Sequence, residues 1–404
     1  MESHGTHLPR HTEGEGVGED SATSVLARAH TLSARAARSA DGAERARRLD
    51  GALVADTRDA GLFALCVPRE LGGLQAAPAV LLDAVEEMAA GDGAAGWCLA
   101  VHATSGMLAA YLPKLDARTV FGSRSVVGGV FAPRGRAIHL PGGRLRVTGR
   151  WPFASGVEHC DWLMGGCLVS EGDAVRRRPG GQPDVRMVVF PRSSVEVIDT
   201  WSVSGMRATG SHDMTVSDVE VGAGRSASLF TDRPWCADAL YAFPLFGLLS
   251  LAIAVSTLGI ARSAVSDVIA LAAGKRAVGS QRSLAQRSTT QVAVAEAEAT
   301  RRAARALLYE VTDRAWEAAS EHGVVSVALR ADLRLAATHA TRAAVTTVDQ
   351  MYRLGGTSSL YESSPLQRRF RDVHVAGAHA LVAPATDELT GRLLLGLDTD
   401  VSQL

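Results

Sequence analysis

Lysine is almost missing from this chain. Of 42 Lys and Arg residues only Lys114 and Lys275 are lysine, so Schiff-base chemistry would have to use one of those two. Cysteine is sparse as well. Cys66, Cys98, Cys160, Cys167 and Cys236 include no C-x-x-C pair, which argues against a zinc ribbon or a disulfide framework and for a reduced, cytoplasmic protein with no metal. Net charge is −1, so no global field attracts nucleic acid or an anionic membrane. Residues 1–21 are polar and charged with no apolar core; they read as a disordered N-terminus, neither signal peptide nor anchor. The single long apolar run, Leu245 to Ala261, is interrupted by Ser250, Ser256, Thr257 and Gly259 and reads as a buried helix, not a membrane span.

Several motifs fail on context. Gly91, Gly93 and Gly96 match G-x-G-x-x-G by letter but follow a helical pattern, whereas a dinucleotide fingerprint must follow a strand. Gly274-Lys275-Arg276 lacks the Ser/Thr and upstream glycine of a phosphate loop, and neither G-x-S-x-G nor H-E-x-x-H occurs.

Three textures follow one another. Alanine-rich helical patterns fill 22–125. Short alternating runs at Arg144–Val147, Trp162–Val169, Arg186–Phe190 and Met214–Val221 make 126–232 a β domain. Long helical stretches return over 233–404 at Leu245–Ala273, Ser283–Glu321 and Val325–Arg353, with a final pair after Pro365. Helices of that length pack as antiparallel bundles and often bury a face on a neighbouring subunit, so an oligomer is expected. The fold class is α+β.

Four stretches carry a resemblance. They are AGLFALCVPRELGGL at Ala60–Leu74, VTGRWPFASG at Val147–Gly156, WSVSGMRATGSHDMTVSDVEV at Trp201–Val221 and LGGTSSLYESSPLQRRFRD at Leu354–Asp372. In this order they resemble the acyl-CoA dehydrogenase superfamily. The resemblance implies an N-terminal helical domain, a central β-barrel-like domain and a C-terminal four-helix bundle, assembled as a homotetramer with flavin between the β domain and the bundle.

Dehydrogenation needs a carboxylate base, in the commonest arrangement a glutamate: Arg371–Pro384 contains no glutamate and supplies His374 and His379 instead, and Leu245–Ser266 contains no Asp or Glu. The pattern W-P-F-A-S-G followed by R-D-V-H and a second histidine is similar to the flavin-dependent, two-component monooxygenases of this fold, closest in look to the hydroxylase of actinorhodin-type aromatic polyketide biosynthesis. That implies reduced FMN or FAD (FMNH2 favoured) and O2, a C4a-hydroperoxide, an aromatic or polyketide-like substrate, and a separate flavin reductase. The rivals are a desaturating flavoenzyme with its base elsewhere, an N-oxygenase of amines, and a non-enzymatic scaffold.

The resemblance sets Ser155 toward flavin N5 and Phe153 over the ring. It also sets Arg276, Gln286 (with Arg282 and Gln291) and the Gly355–Gly356 turn toward the flavin, the helix residues reaching that of an adjacent subunit. Histidine suits proton transfer near neutral pH. His379 stands where the dehydrogenases' glutamate would be and is the expected proton-transfer residue, on a helix continuing to Leu381. His102, Trp97 and Phe131 are expected to face the substrate, with Trp151 and Met164 as further candidates for the pocket. For each, an ordinary packing role is the competing reading.

Overall fold

The computed structural model describes residues 22–122, 124–172, 174–179, 181–276 and 281–404; the segment expected to be disordered, 1–21, lies outside them. The first helices are α1 (Ala22–Ala46), α2 (Gly51–Asp59), α3 (Pro78–Gly91), α4 (Gly93–Ser105) and α5 (Lys114–Phe121). Pro78 opens α3 at the position where a missing N–H costs nothing. Asp92 starts α4, its carboxylate accepting the Ala95 N–H at 2.9 Å.

Eight strands follow: β1 (Val127–His139), β2 (Leu145–Trp151), β3 (Trp162–Glu171), β4 (Ala174–Val175), β5 (Val185–Pro191), β6 (Glu196–Ile198), β7 (Asp213–Val221) and β8 (Ser226–Ala227). They form one sheet in the order β6-β7-β2-β1-β3-β5-β8, with β4 on β3; β1 and β3 run parallel and the other pairs antiparallel. The β1–β3 register slips twice between Val130 and Gly135, at irregularities that leave Phe131, Ala132 and Arg134 out of the ladder while Pro133 stays opposite Gly166. Under the sheet lies Trp151, fully buried, its Nε1–H donating to the Gly166 carbonyl at 2.8 Å. Gly135, Gly149 and Gly165 press against that indole, and a Cβ on any of them would come within 2.7 Å of it. Trp151 and Met164, both fully buried, are therefore core residues and not pocket walls.

The remaining helices are α6 (Ala239–Ala242), α7 (Leu245–Gly274), α8 (Ser288–His322), α9 (Val327–Gly355), α10 (Pro365–Gly377) and α11 (Ala385–Leu394). Helices α7 to α10 pack as the four-helix bundle, and α7 also packs on α3 and α4. This explains why α7 is apolar all round: 83% of its most hydrophobic window is buried inside the protein. Gly259 permits the α3 contact, since a Cβ there would stand 2.4 Å from the Glu86 carbonyl. One expectation changes. Helix α10 ends at Gly377, and His379 sits beyond it in extended backbone (φ −67°, ψ 135°), so it does not share a helix face with Asp372.

Candidate active site

Where the sheet, α4, the N-terminal half of α7 and the segment after α10 meet, they enclose a cavity of about 1240 Å³. That exceeds the usual volume for one small ligand and leaves room for a cofactor ring and a substrate together. Its walls are mostly apolar: Val130, Phe131, Phe230, Phe246, Leu249 and Ile253 among others. Among the described residues, Asp400 is the single carboxylate on its lining.

Ser155 lies in the turn after β2. The Ala154 N–H donates to the His212 carbonyl (3.0 Å) and the Gly156 N–H to the Thr209 carbonyl (2.7 Å), locking the turn to the 209–212 loop. Phe153, two residues earlier, takes φ +66°, costly for an aromatic residue, and stays 68% exposed against the cavity with its edge to Trp201 at 6.2 Å. A strained, exposed aromatic ring at a cavity wall fits a planar partner.

The hydroxyls form a directed chain. Trp97 Nε1–H donates to Ser155 Oγ at 3.0 Å, Ser155 and Ser211 meet at 2.8 Å, and Ser211 and Thr209 at 2.6 Å. Thr209 spends its own proton on the Met206 carbonyl at 2.8 Å. Ser211 must then donate to Thr209, and Ser155 to Ser211. Ser155, already accepting from Trp97, therefore offers the cavity a remaining lone pair rather than a proton. All five residues line the cavity.

His379 also lines it, edge-on to Trp97 at 5.6 Å. Its Nδ1 accepts the Leu381 N–H at 3.2 Å, which leaves the ring proton on Nε2. Burial, with a smaller push from Arg334, holds this imidazole down to about 4, so it is neutral near pH 7. Arg334, itself buried, donates from Nη2 to the Leu381 carbonyl (3.1 Å) and from Nη1 to the Gln403 carbonyl (2.7 Å). One guanidinium thus holds both the His379 segment and the 400–403 segment, whose Asp400, Ser402 and Gln403 also wall the cavity.

Other expected site residues fall elsewhere. His102 is buried behind the turn that carries Ser155, its Nδ1 3.1 Å from the Val127 carbonyl, and it does not line the cavity; the reading of it as a substrate contact is corrected. His374 touches the cavity wall but pairs with Asp349 at 3.0 Å. Arg276, Gln286, Gly355 and Gly356 gather together instead: Lys275 Nζ bonds the Gly355 carbonyl and Ser358 Oγ, Arg276 bridges Ser283, and Gln286 caps the Ser283 N–H at 2.8 Å. They stand at the far end of α7, roughly 30 Å from its cavity-lining residues at 1.5 Å per residue. None of the four lines the cavity.

The buried histidines carry a pH prediction. Burial holds His102 down to about 4, whereas an unfolded imidazole titrates near 6.5. Between these values the unfolded chain binds more protons, so stability falls as pH drops from about 6.5 to about 4. The gap corresponds to on the order of 3 kcal/mol for His102. Asp372 runs the other way: burial, with Asp92 adding, raises it to about 7, so its contribution is lost as pH rises toward 7. Urea titrations of His102→Asn against the parent chain isolate the first effect; parallel stability–pH curves for the two would contradict it.

Comparison with known proteins agrees with this architecture. The acyl-CoA dehydrogenase N-terminal domain model matches residues 21–113 and the C-terminal domain model residues 251–384. The chain is 34% identical to an indole-3-acetate monooxygenase of Pseudomonas putida, over 83% of this chain and 84% of that one. It is 29% identical to the oxygenase subunit HsaA of a flavin-dependent monooxygenase from Mycobacterium tuberculosis, over 90% and 93%. Among solved structures, the HsaA monooxygenase of M. tuberculosis superposes with a TM-score of 0.84 at 26% identity, covering 95% of this chain and all of that one. XiaF from Streptomyces sp., in complex with FADH2 and glycerol, gives 0.84 at 25% identity over 93% and 96%. The chain belongs to the flavin-dependent monooxygenases of the acyl-CoA dehydrogenase fold.

Proposed function

We propose that this chain is the oxygenase component of a two-component monooxygenase that hydroxylates an aromatic or polyketide-like small molecule, with a separate reductase supplying reduced flavin. The observation that carries the reading is the directed hydroxyl chain ending in a free Ser155 lone pair inside an apolar cavity. Reduced flavin bears a proton on N5 and needs an acceptor there; oxidised flavin does not. When bound, reduced flavin supplies the electrons by which O2 delivers one oxygen atom to the substrate and the other to water.

In this reading Ser155 accepts the N5–H, Phe153 covers the ring, and Phe131 and the α7 side chains exclude water and hold the aromatic substrate. Neutral His379 donates from Nε2 to an oxygen that gains charge; as the expected proton-transfer residue it acts as a donor, because its Nδ1 accepts the Leu381 N–H. FMN is favoured over FAD. Arg276, Gln286, Gly355 and Gly356 would serve a flavin across a subunit boundary in a homotetramer, which their distance from the cavity of their own chain supports.

A desaturating flavoenzyme is disfavoured by the cavity lining, where among the described residues no glutamate stands and the one aspartate is exposed. Anaerobic mixing with an aromatic substrate tests this directly: bound oxidised flavin should stay oxidised, and its reduction by substrate alone would reject the monooxygenase reading. Stopped-flow mixing of the protein, reduced flavin and O2 should show a delay before oxidised flavin appears. Ser155→Ala should shorten that delay by roughly 10²-fold, the scale for losing one preorganised partner; an unchanged delay would remove Ser155 from the cofactor.

A further inference from the structure

The hydroxyl chain does not end at Met206. The Met206 carbonyl receives three donors: Thr209 Oγ1 at 2.8 Å, the Thr209 N–H at 3.1 Å and Trp201 Nε1 at 3.0 Å. Its N–H, on the other side of the same residue, donates to Asp372 Oδ1 at 2.5 Å across the boundary between the β domain and α10. Met206 sits at φ +53°, a conformation that a non-glycine residue keeps only when neighbours hold it. Gly205 beside it packs so closely on α10 that a Cβ would lie 2.2 Å from the Arg371 carbonyl, and Arg371 Nη1 donates to the Ser204 carbonyl at 2.5 Å. The loop that terminates the chain is thus pinned to α10, and Asp372 is the one pin that acts on the terminating residue itself.

We propose that Asp372 is a positioning residue for the cofactor: by fixing Met206 it sets the direction of the Thr209–Ser211–Ser155 chain, and so makes Ser155 an acceptor that selects the reduced over the oxidised flavin. Asp372 does not line the cavity. Its effect passes through three residues, each within hydrogen-bond distance of the next. If Met206 turns away, Thr209 regains a free proton, Ser211 no longer needs to donate to it, and Ser155 can point its own hydrogen into the cavity. An Ser155 donor opposes an N5–H and welcomes a bare N5. The inference rests on the flavin site proposed above.

The test is the ratio of the dissociation constants of oxidised and reduced FMN, measured anaerobically on the full chain, with thermal unfolding recorded alongside. Loss of one hydrogen bond corresponds to about a fivefold change. Thr209→Val, which keeps shape and removes the terminating donor, should lower the preference for reduced FMN about fivefold. Asp372→Ala should do the same, and the double variant should lose no more than either alone. Asp372→Asn, whose amide oxygen still accepts the Met206 N–H, should keep the ratio. A merely structural Asp372 would lower the unfolding temperature of Asp372→Ala and leave the ratio untouched, which overturns the proposal. So would a parental ratio in Thr209→Val, which decides the matter even where Asp372→Ala does not fold. A parent chain that binds no reduced FMN would instead reject the flavin site as a whole.

Discussion

His379→Ala should lower coupled substrate oxygenation by about 10²-fold or more while changing the affinity for reduced flavin only a few-fold. The magnitude is that of a single preorganised donor acting where charge develops. The asymmetry follows from position. His379 stands on the segment after α10, edge-on to Trp97 and facing the cavity, whereas Ser155 and Phe153 stand on the sheet side. Its neutrality gives a second discriminating result. Because Nδ1 accepts from Leu381 and Nε2 carries the proton, a glutamine that donates from its amide should restore part of the activity. A base would gain nothing from glutamine. Equal loss of flavin binding and oxygenation in His379→Ala would make this residue a packing element.

Gly156→Ala should be a severely damaging small substitution near the site. Gly156 takes φ +66°, and an added Cβ would lie 2.3 Å from His102 Nε2, a buried atom with nowhere to move. Left-handed backbone and overpacking together should cost about 2–5 kcal/mol. The loss should appear as a lower urea midpoint and weaker flavin binding at once, since the same turn presents Ser155. Combining it with His102→Ala removes the clash but leaves the backbone cost, so part of the stability should return. A parental midpoint for Gly156→Ala would show that the turn is not held against His102.

Much of this architecture was legible in the sequence because it obeys simple periodicities. The alternating residues of β2 and β7, the apolar runs of β3 and β5 and the long apolar stretch of α7 are read directly. Strand β1 was not, since Gly128, Gly129, Pro133 and Gly135 break its alternation; Gly135 seats Trp151, Gly128 makes room for His102 and Cys160, and Gly129 packs on Met164. The end of α10 was missed because nothing in Gly377-Ala378-His379 marks a stop strongly, and only the Leu381 contact shows why the chain leaves the helix. Within the cavity, Trp97, Phe131, Phe153, Ser155 and His379 do come together. Thr209 and Ser211 were passed over because hydroxyls beside Gly210 look like turn chemistry, and their partnership with Ser155 crosses more than fifty residues. His102 looked like a cavity residue on an apolar helix, but that helix is packed on several sides at once.

Arg334 gives the cavity an unusual dependency. The imidazole and the 400–403 segment hang from the same guanidinium, one through Leu381 and the other through Gln403. Both contacts are to backbone carbonyls, so a shift in the main chain of one segment is passed through the guanidinium to the other, whatever side chains the two carry.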